Sequence, residues 1–237
     1  QRKNNLYYLK GRQNIYTKRI RRAKYSEKKL KRAKLYAQIL RFVPTIKLIG
    51  ISGSLAMQNS HSNDDIDFFI VSSKKSLWTT RLISTLLLFP IKRKPGSKHT
   101  ANKACLNLFM DESDLYVKDH NLYQAHELSQ LLVLYADTKT YSKMLKKNRW
   151  IEQFLPNWTG EWKGEQMLWE LSLPKQLEEF LKNIQLLYMK KKITSEKVGE
   201  TQIYFHPSDT QNNVLKQYKK LIKKYKLSSA GQDMIVG

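Results

Sequence analysis

Two short apolar runs, separated by a glycine turn and a polar loop, limit what this chain can fold into. Ile46-Lys-Leu-Ile-Gly50 and Ile66-Asp-Phe-Phe-Ile-Val71 are rich in β-branched and aromatic residues and read as strands. Between them lie Gly53-Ser54, a short helical Leu55-Ala-Met-Gln58 and polar residues from Asn59 to Asp64. The order strand, turn, helix, loop, strand predicts an α+β protein.

The flanking segments extend this frame. From Ser26 onward Leu30, Ala33, Ala37 and Leu40 recur at helical spacing, and Pro44 ends the helix. A helix over about 74–89 follows the second strand, Pro90 to Lys103 is a basic loop, and Ala104-Cys-Leu-Asn-Leu-Phe-Met110 is the third strand. The apolar stretch from Leu82 to Ile91 is well short of the ~20 residues that span a bilayer, so it is expected inside a core. Beyond Leu122 the pattern is helical, at about 122–134, 138–148, 165–193 and 210–226, with Trp150, Trp158, Trp162 and Trp169 as large anchors. The expected organisation is a basic arm (1–25), a sheet-bearing domain (26–121) and a helical region (122–237).

The chemistry concentrates in one pattern, Gly53-Ser54, ten residues, then Asp65-Ile66-Asp67. Glycine lets backbone amides approach a triphosphate, the serine hydroxyl can donate to a phosphate oxygen, and a following helix adds its positive dipole end. Two aspartates at i and i+2 on a strand point to one face. There they can share a magnesium ion bridging triphosphate oxygens, with a second ion near an attacking hydroxyl as an option. Taken alone, an Asp-x-Asp pair at a strand end is as readily a solvated charge. The strand before it and the Gly-Ser turn favour the catalytic reading.

With these residues in view, the chain resembles the DNA polymerase beta-like nucleotidyltransferase superfamily, and within it a group of small bacterial and archaeal nucleotidyltransferase-domain proteins. Further motifs similar to that group are Leu77-Trp78-Thr79-Thr80-Arg81, Arg93-Lys94-Pro95-Gly96, Cys105-Leu106-Asn107, Ala125-His126-Glu127, Phe154-Leu155-Pro156-Asn157-Trp158 and Phe205-His206-Pro207-x-Asp209, so the resemblance covers about residues 26 to 226. It implies a nucleotidyltransferase-type mixed sheet flanked by helices, Mg2+, and transfer of a nucleoside monophosphate from an NTP to a hydroxyl. It assigns Asp65 and Asp67 to metal and Gly53 and Ser54 to the triphosphate. Arg81, Arg93 and Lys94 are candidate phosphate contacts, a helix-surface charge being the plainer reading of Arg81.

The chain departs from that superfamily at one position. A third carboxylate is expected on a later strand, and the residue that aligns there is Asn107, whose amide cannot take a proton. Asp111, Asp114 and Glu127 are the substitutes for that metal-binding or general-base carboxylate, with Glu127 favoured as the catalytic residue. Asp111-Glu112-Ser113-Asp114 also reads as a polar turn. His126 and His206 are expected to be structural, Asp209 to cap the last helix, and Cys105 to be a small buried hydrophobe.

Composition bears on the partner. Lys and Arg number 43 against 20 Asp and Glu, a formal charge of +23, while 41% hydrophobic residues suffice for a core. Residues 1–34 hold fourteen Lys or Arg and one acid, Glu27, with Tyr7, Tyr8, Tyr16 and Tyr25 interleaved. Lys143, Lys146, Lys147, Arg149, the run Lys190–Lys192 and six lysines from Lys216 to Lys226 extend the basic field. Such an excess suits a phosphate lattice, and RNA is the expected partner, with an anionic membrane surface as the rival. One cysteine and no cleavable signal pattern lead to the expectation of a cytoplasmic protein. Three functions remain open: a nucleotidyltransferase acting on a nucleic-acid end, an RNA-binding or ribonucleoprotein component with lost catalysis, and an enzyme that modifies a protein or small molecule.

Overall fold

A computed structural model describes residues 1–94, 97, 99–160, 174–190, 196–205 and 209–226. The elements are β1 (Arg2–Lys3), β2 (Leu6–Tyr7), α1 (Gln13–Leu40), β3 (Ile46–Ile51), α2 (Gly53–Ala56), β4 (Ile66–Ser72), α3 (Leu77–Leu87), β5 (Ala104–Asp111), α4 (Leu122–Ser129), β6 (Leu132–Ala136), α5 (Thr138–Lys147), α6 (Ile151–Phe154), α7 (Lys175–Lys190), β7 (Lys197–Val198), β8 (Gln202–Tyr204) and α8 (Asp209–Lys224). Six of the strands form one mixed sheet in the order β6-β3-β4-β5-β8-β7. Within it β4 and β5 run parallel, and every other neighbouring pair is antiparallel.

Strand alternation divides the core in two. Ile49, Ile51, Phe68 and Ile70 face a cluster with Ala33, Ala37 and Leu40 of α1, Leu77 and Trp78 of α3, and Met189 of α7. Leu48, Phe69 and Val71 face the other cluster, with Ala125 and Leu128 of α4, Tyr141 and Met144 of α5, and Ile151 of α6. Helices on both faces explain why β3 is buried along its whole length and why its sequence shows little polar alternation. The chain is thus α+β with a helix-covered mixed sheet, and the described residues contain eight helices.

Three expectations shift. The helix expected over 122–134 stops at Ser129, and Leu132-Val-Leu-Tyr-Ala136 becomes β6, paired antiparallel with β3. A short apolar run after a helical segment carries no periodicity that separates strand from helix. The region after residue 121 therefore supplies three strands of the sheet as well as helices. At the other end, α1 begins at Gln13 and crosses residue 25 without interruption, so much of the basic arm is helix. Trp162, Trp169, Lys191, Lys192, Pro95, Gly96, His206 and Pro207 lie outside the described residues.

Several cations of α1 are used inside the fold. Arg19 donates to the carbonyls of Met57 and Gln58 at 2.9 and 2.8 Å, and Arg22 to the Asn59 side chain at 3.2 Å. Ser26 Oγ accepts from the Ser60 N–H at 3.0 Å. Lys29 is 2% exposed, and its Nζ donates to Ser62 O (3.0 Å), Asp64 O (2.5 Å) and Asn102 Oδ1 (3.2 Å). Burial lowers its pKa, while Asp64 opposes the shift. One face of α1 thereby clamps the loop that delivers Asp65.

The opposite end of the sheet layer uses a buried acid in a comparable way. Glu178 of α7 accepts from Trp78 N–H (2.5 Å), Thr79 N–H (3.0 Å) and the Thr79 hydroxyl (2.6 Å). A carboxylate from another helix thus satisfies the free amides that open α3, where the local sequence offers no side-chain cap. Lys29→Met leaves two loop carbonyls without their buried donor and is expected to cost about 3 kcal/mol of unfolding free energy. Chemical denaturation measures that loss, and an unchanged midpoint would remove the clamp.

Candidate metal and nucleotide site

The site forms where β4 starts. The Ile66 N–H donates to Lys103 O (2.9 Å) and the Asn102 N–H to Asp64 O (3.0 Å), fixing Asp65 against the chain that leads into β5. Register then pairs Ile66 with Ala104 and Asp67 with Cys105, which puts the Asp67 and Cys105 side chains on one face of two parallel neighbours. One ligand atom from each of Asp65, Asp67 and Cys105 lies within 4.8 Å of the others.

Gly53 closes the site from the next turn. Its φ of +65° is the left-handed conformation that glycine adopts at little cost, and a Cβ there would stand 3.3 Å from Asp67 Oδ2. The Ser52 N–H donates to Asp67 O at 3.1 Å, tying that turn to β4. The Ser54 hydroxyl, expected to donate to phosphate, donates in this structure to Asp64 Oδ2 at 3.0 Å and sits 3.2 Å from Ser60 Oγ. Asp64 also accepts from the His61 N–H at 2.7 Å, so Ser54 and Asp64 brace the loop from within.

Arg93 belongs to the same cluster. The Arg93 N–H donates to Ala104 O at 2.8 Å, and the Ala104 N–H to Ile91 O at 3.0 Å, which lays the basic loop beside the start of β5. The guanidinium then reaches Asp65 Oδ2 at 2.8 Å. Burial pulls the Arg93 pKa down, but Asp65 and Cys105 outweigh it and hold the group above its usual value. Lys94 is exposed next to it on the same loop.

Glu127 of α4 comes from the helical layer that covers the Asp67 face of the sheet. Burial raises its pKa, with hydrogen bonds from Gly53 N–H and the Tyr123 hydroxyl opposing the rise. Its charge in turn acts on Asp67. Asp67 is pushed up to about 7, by burial first and then by the neighbouring Asp65, with the Cys105 thiol and Arg93 opposing the shift. Burial, followed by Asp67 and Asp65, holds the Cys105 thiol well above its ordinary pKa.

Other expected residues lie elsewhere. Arg81 is not in this cluster; it is on α3, on the opposite face of the sheet, donating to Gln185 Oε1 at 2.5 Å and standing over the Phe205 ring. Asn107 is not across from the aspartates. A register shift between Phe68 and Phe69 makes it the extra residue of β5, and it lines a pocket with Ser52, Tyr123, Gln124, Glu127 and Tyr204. Cys105 is buried, as expected, and it is the residue that faces Asp67. Asp111 accepts from the Ser113 N–H and Asp114 from the Thr201 hydroxyl, as befits a polar turn. His126 stands 3.1 Å from the Gln130 side chain, consistent with a structural role.

The two carboxylates and the thiol could hold a divalent cation, with oxygen donors from Asp65 and Asp67 of the kind that hard cations take. Asp65 and Asp67 would hold it. Comparison of the chain with family models, curated proteins and solved structures finds no match in any of the three.

Two outcomes follow. Gly53→Ala places a Cβ in a left-handed turn against Asp67, with an expected loss of about 1–2 kcal/mol in denaturant unfolding. The second concerns pH in metal-free protein. Asp67 has a folded pKa of about 7 against an ordinary 3.8, so between these values the folded state binds more protons than the unfolded. Stability contributed by this group therefore falls as pH rises from about 4 to about 7 and is level above that. Asp67→Asn should flatten that decline in thermal melts; an unaltered pH profile would contradict the burial of Asp67.

Proposed function

We propose that the protein is a Mg2+-dependent nucleotidyltransferase that moves a nucleoside monophosphate from an NTP to a hydroxyl of nucleic acid, RNA foremost. The observation that carries this reading is the pair Asp65 and Asp67, held within reach of one ion against a glycine turn although burial and the neighbouring Asp65 disfavour charge on Asp67. A fold keeps such a pair where a cation is to be bound. The resemblance of the Gly-Ser turn and acid pair to polymerase beta-like enzymes points the same way.

In the proposed reaction, the acceptor oxygen bonds to the α-phosphorus, the bond from that phosphorus to the bridging oxygen breaks, and pyrophosphate leaves. Bound Mg2+ supplies charge neutralisation for the triphosphate and the departing pyrophosphate. Gly53 leaves room for phosphate oxygens beside Asp67, Lys94 offers a cation to the same anion, and Arg93, held on Asp65, adds its positive field. Glu127 accepts the proton of the attacking hydroxyl, a role that suits a carboxylate whose basicity burial has raised.

The nucleic-acid acceptor is supported by charge and by α1. Arg21, Lys24, Lys28 and Lys31 are exposed on α1 around Tyr25, with Glu27 as their one acidic neighbour. From Arg21 to Lys31 the helix rises about 15 Å. The clamp residues Arg19, Arg22 and Lys29 turn toward the active-site loop instead. Among the described residues no helix is long and apolar enough to cross a membrane.

A second reading, an RNA-binding component without catalysis, draws on the thiol of Cys105 standing where a third carboxylate is expected. Incubation with labelled NTPs, Mg2+ and total RNA separates the readings. Label in RNA that disappears in Asp65→Asn with Asp67→Asn supports transfer to nucleic acid, whereas label in protein or a small molecule places the acceptor elsewhere. No label with retained RNA binding leaves the binding component. Lys24→Ala with Lys28→Ala should also reduce the slope of log affinity against log salt by about 2. An unchanged slope would take α1 out of the RNA surface.

A further inference from the structure

We propose that Cys105 is a ligand of the cation held by Asp65 and Asp67, and that its sulfur makes this a site for a resident borderline cation of the Zn2+ or Co2+ class. The inference rests on the reading of Asp65 and Asp67 as metal carboxylates; it adds the third donor and the kind of ion.

Placement is the first ground. Cys105 is the register partner of Asp67 on a parallel neighbour, and its sulfur and one oxygen of each aspartate lie within 4.8 Å of one another. The strand position is fixed on both sides, by the β4 ladder and by the bridge between Lys92 and Ala104. Cys105 therefore cannot leave the cluster without breaking the sheet. At 6% exposure it is largely closed to solvent but open to its two acidic neighbours.

Donor chemistry is the second ground. Mg2+ takes oxygen ligands and gains little from sulfur, whereas zinc-like ions bind carboxylate and thiolate together. A divalent charge between the carboxylates also favours thiolate, the thiol proton passing to solvent on coordination. An ion that arrives with the triphosphate brings phosphate oxygens and has less need of the sulfur. The sulfur thus distinguishes an ion held without nucleotide from one that enters with it. Asn107 is displaced by the bulge toward Glu127 and is not the third donor.

Co2+ titration of the full, metal-free chain without nucleotide tests this directly. Cys105 is the chain's one cysteine, so any sulfur-to-cobalt charge-transfer band in the near ultraviolet has a single source. The expected result is such a band at one equivalent of Co2+, displaced by Zn2+ and lost in Asp65→Asn with Asp67→Asn. Cys105→Ser should abolish the band and weaken Zn2+ binding by at least about tenfold, the scale on which even outer partners of a metal act. Co2+ bound without the band, or Zn2+ affinity unchanged in Cys105→Ser, would overturn the proposal. The transferase reading fails or stands separately: a band without labelled product keeps the metal site, and labelled product with Mg2+ but no band keeps the enzyme and removes Cys105.

Discussion

Two carboxylates held two residues apart at the mouth of a central strand, with a buried thiol facing one of them, repel each other, and burial adds to the cost of charge on Asp67. Much of the surrounding structure works against that repulsion. Arg93 reaches Asp65 directly. Lys29 acts one step back, drawing the carbonyls of Ser62 and Asp64 onto a buried ammonium and fixing the loop from which Asp65 emerges. The Gly53 turn offers no side chain and so leaves the Asp67 carboxylate its space. Holding the pair in place therefore depends on α1, on the basic loop and on the turn together, although these are distant in sequence.

The two-layered core explains why the pair stays put. β4 is bonded on one side to β3 and on the other to β5, with apolar clusters on both faces, so its start cannot drift. Glu127 comes from the layer opposite α1, and its helix is seated by Ala125 and Leu128 in the second cluster. The site is thereby assembled from both sides of the sheet. A shift of either layer would alter the electrostatics at Asp67.

The strands β3, β4 and β5 were legible to within a residue or so because their apolar runs are bounded by a proline, a glycine turn and polar loops. Strand β6 was not, since a five-residue apolar run beside a helix looks like more helix. Within the site, the Gly-Ser turn and the Asp pair carried their own signal, and Glu127 was accessible through its neighbourhood of motifs. Cys105 rather than Asn107 meets Asp67 because the parallel register pairs the two and leaves Asn107 as an extra residue between Leu106 and Leu108, and strand register leaves little trace in sequence. Lys29 and Glu178 were invisible for another reason. A single charged residue on a helix is ordinarily solvated, and only tertiary contacts reveal that these two are buried and fully partnered.

Composition also hid a division of labour among the cations. Arg19, Arg22, Lys29, Arg81 and Arg93 count toward the +23 charge just as Lys24 and Lys28 do, yet each is engaged with carbonyls, amides or a carboxylate of the fold. Such cations cannot move onto a polyanion without giving up those bonds, so they contribute to the field at a distance more than to direct phosphate contact. The exposed side of α1 carries the cations that remain free to make such contacts, on the same helix whose other side clamps the Asp65 loop. A polyanion drawn to that outer face would therefore bear on a rigid rod that ends, through Lys29 and Arg22, in the loop of the acid pair. The proposed binding surface and the clamp on the Asp65 loop are thus two faces of one helix, which is a stronger reason to connect surface and site than the net charge alone.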